Sequence, residues 1–402
     1  MKNINFWIKQ IFIYAFPFMA VILCLFAKET SQVAKNAIYL CLDIVIPSLF
    51  PFFVLSKIIV PYISRLPCPG FLKGFIERVF HLPYYTIIII LLGFMSGYPS
   101  GAKMTRDLFD QKLLNSKQAS KLLPMANNCS PLFIIGTIGA GLFKSIKLGA
   151  FLLLIHLISG IMAALITGKL VNSFDSGRKD NKNNVQEVRR YNHGNLKRNT
   201  DPPGLSSLVT ASIEEAAILC IKVSGYIVFF AVISELLSLL GVFSLLGGLF
   251  SVLFTGSLQS ARYMELMTAL LKGFMEITSG AQAIYNLKGI QLNIQLAVVS
   301  IIFGFAGFSV HTQIMGIMKS TGSKYRVLFL GKLLHGIIAG ITAFLAIQIM
   351  PMSIQTSEID AVSNIGLLWT RPVVILIIIL SLIIGPFRVP PLKRKASNVN
   401  KI

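Results

Sequence analysis

The apolar residues of this chain fall into long runs that short polar segments separate, a pattern typical of membrane-spanning helices. A helix needs about 20 apolar residues to cross the hydrocarbon core of a bilayer. The runs predicted to cross lie at 11–27, 37–61, 122–143, 148–171, 206–241, 294–318, 327–350 and 365–386. We therefore predict an all-α polytopic membrane protein with about eight crossings, the first of them an uncleaved span.

Two further apolar segments are too short, or too interrupted by Gly and Pro, for a simple crossing. We predict that both are re-entrant hairpins, which enter the membrane and leave on the same side. Residues 83–110 turn at GYPSG, which begins at Gly97, and residues 262–290 turn at TSG, which begins at Thr278. Backbone groups freed at such turns cannot face lipid, so they must be buried in protein or line a polar cavity.

The two halves of the chain repeat one another on either side of a polar segment. GFMSGYPSGA, from Gly93, matches GFMEITSGA, from Gly273, with one residue deleted. NNCSPLFIIG, around Ser130, and FAGFSVHTQIMG, around Ser309, recur at an offset of 179 residues. Because the predicted crossings run in opposite senses in the two halves, the sequence predicts two inverted repeats.

The distribution of charged residues along the chain helps to divide it into predicted domains. Lys+Arg 37 against Asp+Glu 16 gives a net charge of +21, but the bases gather in loops and a tail between apolar runs, which indicates membrane topology and not nucleic-acid binding. The central loop and the tail are predicted to be cytoplasmic. The predicted domains are a first span (1–30), a first membrane repeat (31–172), a basic loop (173–205), a second membrane repeat (206–350) and a last span with a basic tail (351–402).

Four interruptions of apolar helices are predicted to meet in one cavity: the two hairpin turns and the breaks at Asn127–Pro131 and Phe305–Ser309. Inverted repeats with interrupted helices are typical of secondary transporters, which hold their ligand near the midplane. A broken helix offers free N–H and C=O groups to a polar ligand. The predicted solute site comprises Gly97, Pro99, Ser100, Gly101, Lys103, Asn127, Asn128, Ser130, Glu276, Thr278, Ser279, Gly280, Ser309 and Gln313.

Several of these residues also have a purely structural interpretation. The Asn and Ser side chains could cap broken helix ends, and Lys103 could extend to the cytoplasmic surface instead of meeting an anion. Glu276 could bind a coupling cation or a ligand hydroxyl, or pair with Lys272. Other polar residues rank lower: Asp43, Glu214 and Glu215 at the interface, His311 as a packing residue, and His156 and His335, which carry no motif.

Enzyme motifs are absent from the sequence. It has no GxSxG, HExxH or P-loop string, no GxGxxG in a βαβ setting, and its five cysteines form no CxxC pair. We therefore predict no catalytic residue, metal site or cofactor. The predicted partners are the lipid bilayer, a small polar solute and a coupling cation.

The strings GFMSGYPSGAK and NNCSPLFIIGTIGAG resemble those of the YlbJ-type sporulation integral membrane proteins of endospore-forming bacteria. More distantly, the two repeats resemble the nucleoside-recognition Gate domains of concentrative nucleoside transporters and ferrous-iron permeases. The resemblance implies a multi-pass protein of the mother-cell-derived membrane that is needed for spore cortex formation. It carries over no substrate-contacting residue from the nucleoside transporters.

Two functions fit these expectations. The first is a transporter-like protein that moves or senses a small polar solute for spore envelope assembly. The alternative is a non-transporting membrane scaffold for cortex assembly. A transporter needs polar residues at matched, buried positions in both repeats, whereas a scaffold would concentrate them in its loops, so the sequence favours the transporter.

Overall fold

The computed structural model describes residues 13, 17–66, 68–176, 205–255 and 261–349. They all fall within one compact unit, Met1–Ile354, and a second unit, Gln355–Ile402, lies outside the described residues. Also outside them lie the predicted last span, the basic tail, most of the central loop and several residues of the first span.

The first half is helical. Residues 17–25 are helical, and the helices that follow are α1 (Ala27–Leu40), α2 (Ile46–Ile59), α3 (Gly70–Phe75), α4 (Thr86–Ser96), α5 (Ser100–Asp110), α6 (Ser116–Ala126) and α7 (Ile146–Ser176). More tightly or more widely wound segments join some of them: a 3₁₀ turn at Val60–Arg65 and π-helical stretches at Cys41–Val45, Ile76–Phe80 and Leu132–Leu142.

The second half contains the helices α8 (Leu205–Leu239), α9 (Val242–Thr255), α10 (Ala261–Met275), α11 (Ile277–Tyr285), α12 (Leu292–Phe305), α13 (Gly307–Ile317) and α14 (Tyr325–Ile349). The described residues contain no β-strand. The all-α class predicted from the apolar runs is therefore confirmed for the described residues.

Five helical segments of the described chain are long and apolar enough to cross a membrane: Ala27–Ser64, Ile146–Val171, Ser206–Leu239, Leu292–Ile317 and Tyr325–Ile349. Each overlaps one of the predicted crossings. The predicted crossing at 122–143 is interrupted, since α6 ends at Ala126 and the helical path resumes only at Pro131. Eight crossings and the inverted arrangement therefore stay predictions.

Local sequence accounts for where α6 begins and ends. Asn115 and Gln118 form a capping box, in which each side chain accepts a hydrogen bond from the other residue's backbone N–H. The helix then ends in Asn127 and Asn128, whose side chains donate to the carbonyls of Leu123 and Met125 and so compete with further helical bonds. The capping Asn residues therefore confine α6 to three turns.

Small residues allow the helices around the breaks to approach closely. A Cβ at Gly93 of α4 or Gly101 of α5 would overlap the carbonyl oxygen of Ala126, the last residue of α6. A Cβ at Gly304 of α12 would stand 2.5 Å from the backbone N of Gly336 in α14. Close backbone contact of this kind stabilises membrane helix pairs by van der Waals packing. The glycines thus bring the interrupted elements together at the centre of the unit.

Candidate functional site

A cavity of about 100 Å³ lies where both hairpin turns and both helix breaks meet. Such a volume has room for several waters or a small ligand. Its apolar wall comes from α1, α2 and α8 and includes Leu40, Leu49 and Val223. Its polar wall contains residues of both turns and of the first break, together with residues of the helices that follow the second turn and the second break: Gly97, Tyr98, Cys129, Ser130, Glu276, Thr278, Ser309 and Gln313.

The first turn joins α4 to α5 through Gly97, Tyr98 and Pro99. Gly97 has φ 84°, a conformation that glycine adopts without strain, and the Tyr98–Pro99 peptide is cis. Ser96 and Ser100 hydrogen-bond to one another across the turn, and both are buried. The Tyr98 hydroxyl donates to the carbonyl oxygen of Phe303 at 3.1 Å, so this turn reaches the end of α12 in the other half.

The second turn lies at Glu276 and not, as predicted, at Thr278–Gly280, which form the first turn of α11. Glu276 has extended backbone and its carboxylate caps α11, accepting from Thr278 N at 2.9 Å and from Ser279 N at 2.7 Å. A carboxylate also interacts favourably with the positive end of the helix dipole. In the sequence, the capping residue Glu276 therefore marks the turn itself, whereas the prediction placed this residue beside the turn.

Glu276 is 7% exposed and lines the cavity. Within the described residues no ion pair joins it to Lys272 or to another base. The backbone donors of α11 therefore stabilise its charge, and among the described residues Glu276 is the one acidic residue in the wall of this cavity.

The first break, between α6 and the π-helical stretch, presents Asn127–Ser130 in non-helical backbone. The side-chain oxygen of Asn127 accepts from Ala102 N at 2.9 Å and ties the break to α5. Cys129 N donates to Nε2 of His156 at 3.1 Å. Asn127 and Asn128 thus cap a broken helix end, as the purely structural interpretation of these residues expects. Ser130, in contrast, lines the cavity.

The second break is a single residue, Ala306, with φ 76°, and not the predicted Phe305–Ser309, because α12 continues to Phe305 and α13 begins at Gly307. The carbonyl oxygen of Phe305 accepts from Nε2 of His311 at 2.8 Å. Ser309 and Gln313 follow one helical turn apart on α13, and the Gln313 amide donates to the Ser309 hydroxyl at 3.3 Å. The structure thus places Ser309 and Gln313 together on the cavity wall.

Of the fourteen predicted site residues, six line the cavity: Gly97, Ser130, Glu276, Thr278, Ser309 and Gln313. Seven others lie outside the wall, in the first turn, the first break or the adjoining helices: Pro99, Ser100, Gly101, Asn127, Asn128, Ser279 and Gly280. Lys103 lies apart from the cavity wall, because its Nζ pairs with Asp107 at 2.5 Å and with Glu215 at 3.1 Å.

That ion pair belongs to a four-residue network. Lys57 of α2 lies 2.9 Å from Glu215 of α8 and 3.7 Å from Asp107 of α5, measured between Nζ and the carboxylate oxygens. With Lys103, the network has two bases and two acids and so carries no formal net charge. It joins α2, α5 and α8 at one end of the first hairpin.

Sequence reasoning missed Lys332, whose side chain is fully buried in α14. Its Nζ donates to the carbonyl oxygen of Asn127 and, at 3.1 Å, to the side-chain oxygen of Asn128. The signal was available, since a lone base inside an apolar run is itself unusual.

Sequence reasoning also dismissed His156 and His335. Their rings stack with centroids 4.5 Å apart, and Nε2 of His335 donates to the backbone carbonyl of His156 at 3.0 Å. The two residues are 179 positions apart, the offset that separates Ser130 from Ser309. The repeat offset was therefore the signal that could have identified them.

The cavity can bind a small molecule non-covalently, because it combines hydroxyl, amide and carboxylate groups with an apolar wall. Within the described residues, no three His, Cys, Asp or Glu side chains come close enough together to hold a metal ion.

The helices, turns and breaks define a multi-pass integral membrane protein. The chain is 27% identical to the sporulation integral membrane protein YlbJ of Bacillus subtilis strain 168, over 82% of this chain and 80% of that protein. This similarity supports the resemblance of the chain to YlbJ-type proteins. No family model and no solved structure gives a significant match.

Proposed function

We propose that this protein acts in sporulation as a transporter-like membrane protein, which binds a small polar solute used in spore cortex or envelope assembly. The observation that carries this proposal is the cavity, because its wall includes residues of both turns and the first break and residues of α13, the helix that follows the second break. The sporulation role rests on the similarity to the Bacillus subtilis protein. Localisation to the mother-cell-derived membrane follows from the same family resemblance.

Matched positions of the two halves support the transporter-like class. Ser130 and Ser309 are 179 positions apart, Ser96 and Glu276 are 180 apart, and all four line the cavity. His156 and His335, again 179 apart, contact one another, as residues near an axis that relates two repeats would do. Transporters with inverted repeats bind their substrates at such an interface.

The wall chemistry favours a solute with a polar and an apolar part. Glu276, Thr278, Ser309 and Gln313 would accept and donate hydrogen bonds at one side, and the aliphatic side chains of α1, α2 and α8 would contact the other. A buried carboxylate binds a donor, such as an ammonium, hydroxyl or amide group, more strongly than a neutral acceptor does. We therefore expect the polar part of the solute to carry hydrogen-bond donors.

Uptake into proteoliposomes tests this proposal. Vesicles containing the purified full chain would be incubated with a labelled extract of small polar metabolites from sporulating cells, and retained solutes identified by mass spectrometry. We expect enrichment of at least one solute over empty vesicles, and loss of that enrichment in Glu276→Gln and in Ser130→Ala/Ser309→Ala. Ser212→Ala is a matched control, because Ser212 is a buried serine that bonds within α8, outside the cavity wall.

Two results would contradict the transporter-like function. One is the absence of flux and binding with correctly folded protein, which favours the scaffold alternative. The other is a normal yield of heat-resistant spores in cells that carry Glu276→Gln and the double serine variant at wild-type protein levels. In that case the cavity has no role in sporulation.

A further inference from the structure

Lys332 is a buried base without an acidic partner. Its exposed fraction is 0%, and within the described residues no carboxylate lies within 4.0 Å of its Nζ. An isolated charge in the membrane interior is costly, so the groups around it must replace its hydration. The structure identifies those groups.

Three neutral but electron-rich groups surround the ammonium. They are the backbone carbonyl of Asn127, the side-chain carbonyl of Asn128 and the ring of Tyr98, whose centroid is 5.3 Å from Nζ. Carbonyl oxygens and aromatic faces are also the groups that bind a free monovalent cation. Cys129, His156, His311 and His335 are the other titratable groups that interact with Lys332, and none of them is a carboxylate.

The position of the ammonium is equally informative. Asn127 is the C-cap of α6, so its carbonyl lies at the negative end of that half-helix. In transporters with broken helices, carbonyls at such ends coordinate the coupling cation. Here the side chain of a helix from the other half of the chain, α14, occupies that place.

We infer that Lys332 is a built-in cation, which fills in the first helix break the place where a free monovalent cation such as Na⁺ or K⁺ would otherwise bind. Tyr98 connects this place to the cavity, because it both contacts Lys332 and lines the cavity. The carbonyl groups of the break are then stabilised without any dissolved ion. This inference does not depend on solute transport by the protein.

Chemical rescue of a truncated side chain tests the inference. Lys332→Ala leaves the carbonyls of Asn127 and Asn128 in place but removes the ammonium. We would measure the Tm of the purified full chain in NaCl, KCl, ethylammonium chloride and choline chloride at equal ionic strength. We expect Lys332→Ala to lose Tm, and Na⁺, K⁺ or ethylammonium to restore several °C of it, whereas choline, too large for the site, restores none.

Control variants separate the charge from the volume. The wild type and Lys288→Ala, which removes an exposed lysine, should show no difference between ethylammonium and choline. Lys332→Met fills the volume without charge and should not be rescued. Equal Tm of Lys332→Ala in all four salts overturns the inference.

A second comparison decides the case in which Lys332→Ala does not fold. Lys332→Arg keeps the charge and Lys332→Met keeps the approximate volume. We expect more folded protein with Arg than with Met, measured by size-exclusion chromatography of detergent extracts. Equal or greater recovery with Met would show that the positive charge is not used, and the inference would fall.

Discussion

At each helix break, a side chain donates a hydrogen bond to a backbone carbonyl, but the donor comes from a different part of the chain at each break. At the first break, Lys332 donates to the carbonyl of Asn127, which lies 205 positions away in the chain. At the second break, His311 donates to the carbonyl of Phe305, only six positions away. The bond at the Asn127 carbonyl therefore joins the two halves of the chain, whereas the bond at the Phe305 carbonyl is local, and the contact of the second break with the other half is made by Tyr98 at the carbonyl of Phe303.

The two hairpin turns differ in the same sense. The first contacts the other half through the hydroxyl of Tyr98, which donates to the carbonyl of Phe303. The second is stabilised by Glu276, which caps the helix that follows it. The matched strings of the two halves are thus stabilised by different contacts. We expect variants in the first half to disturb the packing of the two halves against one another more than variants in the second half do.

The largest effect is expected where backbones touch. Gly101→Ala would place a methyl group onto the carbonyl oxygen of Ala126, immediately before the first break. Because a backbone atom cannot move aside as a side-chain end can, we expect a loss of about 3 kcal/mol or more, near the upper limit for overpacking. The measurement is the yield and Tm of purified protein.

Gly225→Ala is the control for this change. Nothing lies within 4 Å of a Cβ at that position of α8, and Ala is the better helix former. We expect it to leave the Tm unchanged or slightly raised. If Gly101→Ala has the same Tm as Gly225→Ala, the close contact between α5 and α6 is not needed for the fold.

An intermediate effect should distinguish the two breaks directly. Asn128→Leu removes an acceptor from the buried ammonium of Lys332, and a hydrogen bond to a charged group contributes about 1.5–3 kcal/mol. His311→Phe keeps an aromatic ring but removes a neutral hydrogen bond to Phe305, which contributes about 0.5–1.5 kcal/mol, and a long one of 3.3 Å to the Tyr325 hydroxyl, which contributes less. We therefore expect the greater loss of Tm with Asn128→Leu.

Limited proteolysis shows which half of the chain each of the two variants destabilises. Because the first break is supported by α14, Asn128→Leu should expose cleavage sites in both halves, whereas His311→Phe should affect the second half alone. Mass spectrometry of limited-proteolysis fragments provides this readout. A larger Tm loss with His311→Phe, or the same cleavage pattern in both variants, would contradict the difference between the breaks.

Much of the fold was predictable from sequence because membrane helices are dictated by apolar length. The five segments long enough to cross coincide with predicted crossings. Both breaks were also predictable, since Asn127, Asn128 and Pro131, and Gly304 and Gly307, interrupt apolar runs. The turn at Glu276 was displaced in the prediction, because Thr, Ser and Gly indicate a turn but also begin a helix when an acid precedes them.

The long-range contacts at the site could not be obtained in this way. That Lys332 reaches Asn127, or that Tyr98 reaches Phe303, depends on how α14 and α12 pack against the first half. No local pattern encodes such packing. The position of Lys103 illustrates the same point, because its partner Glu215 belongs to a helix more than 100 positions away.

The smallest effect is expected at the ion network, which supports the first hairpin; among the described residues, no ion pair involves the second hairpin. Glu215→Gln removes one acid from Lys57 and Lys103. The Glu215 side chain is 43% exposed, so solvent screens the interaction and we expect a loss of only about 0.2–1 kcal/mol.

Glu214→Gln, at the exposed neighbouring position, is the matched control and should have no effect. The loss should shrink as NaCl is raised from about 0.05 to 0.5 M, because the Debye length falls severalfold. A salt-independent loss, or one equal to that of Glu214→Gln, would mean that the first hairpin is supported by its backbone contacts alone.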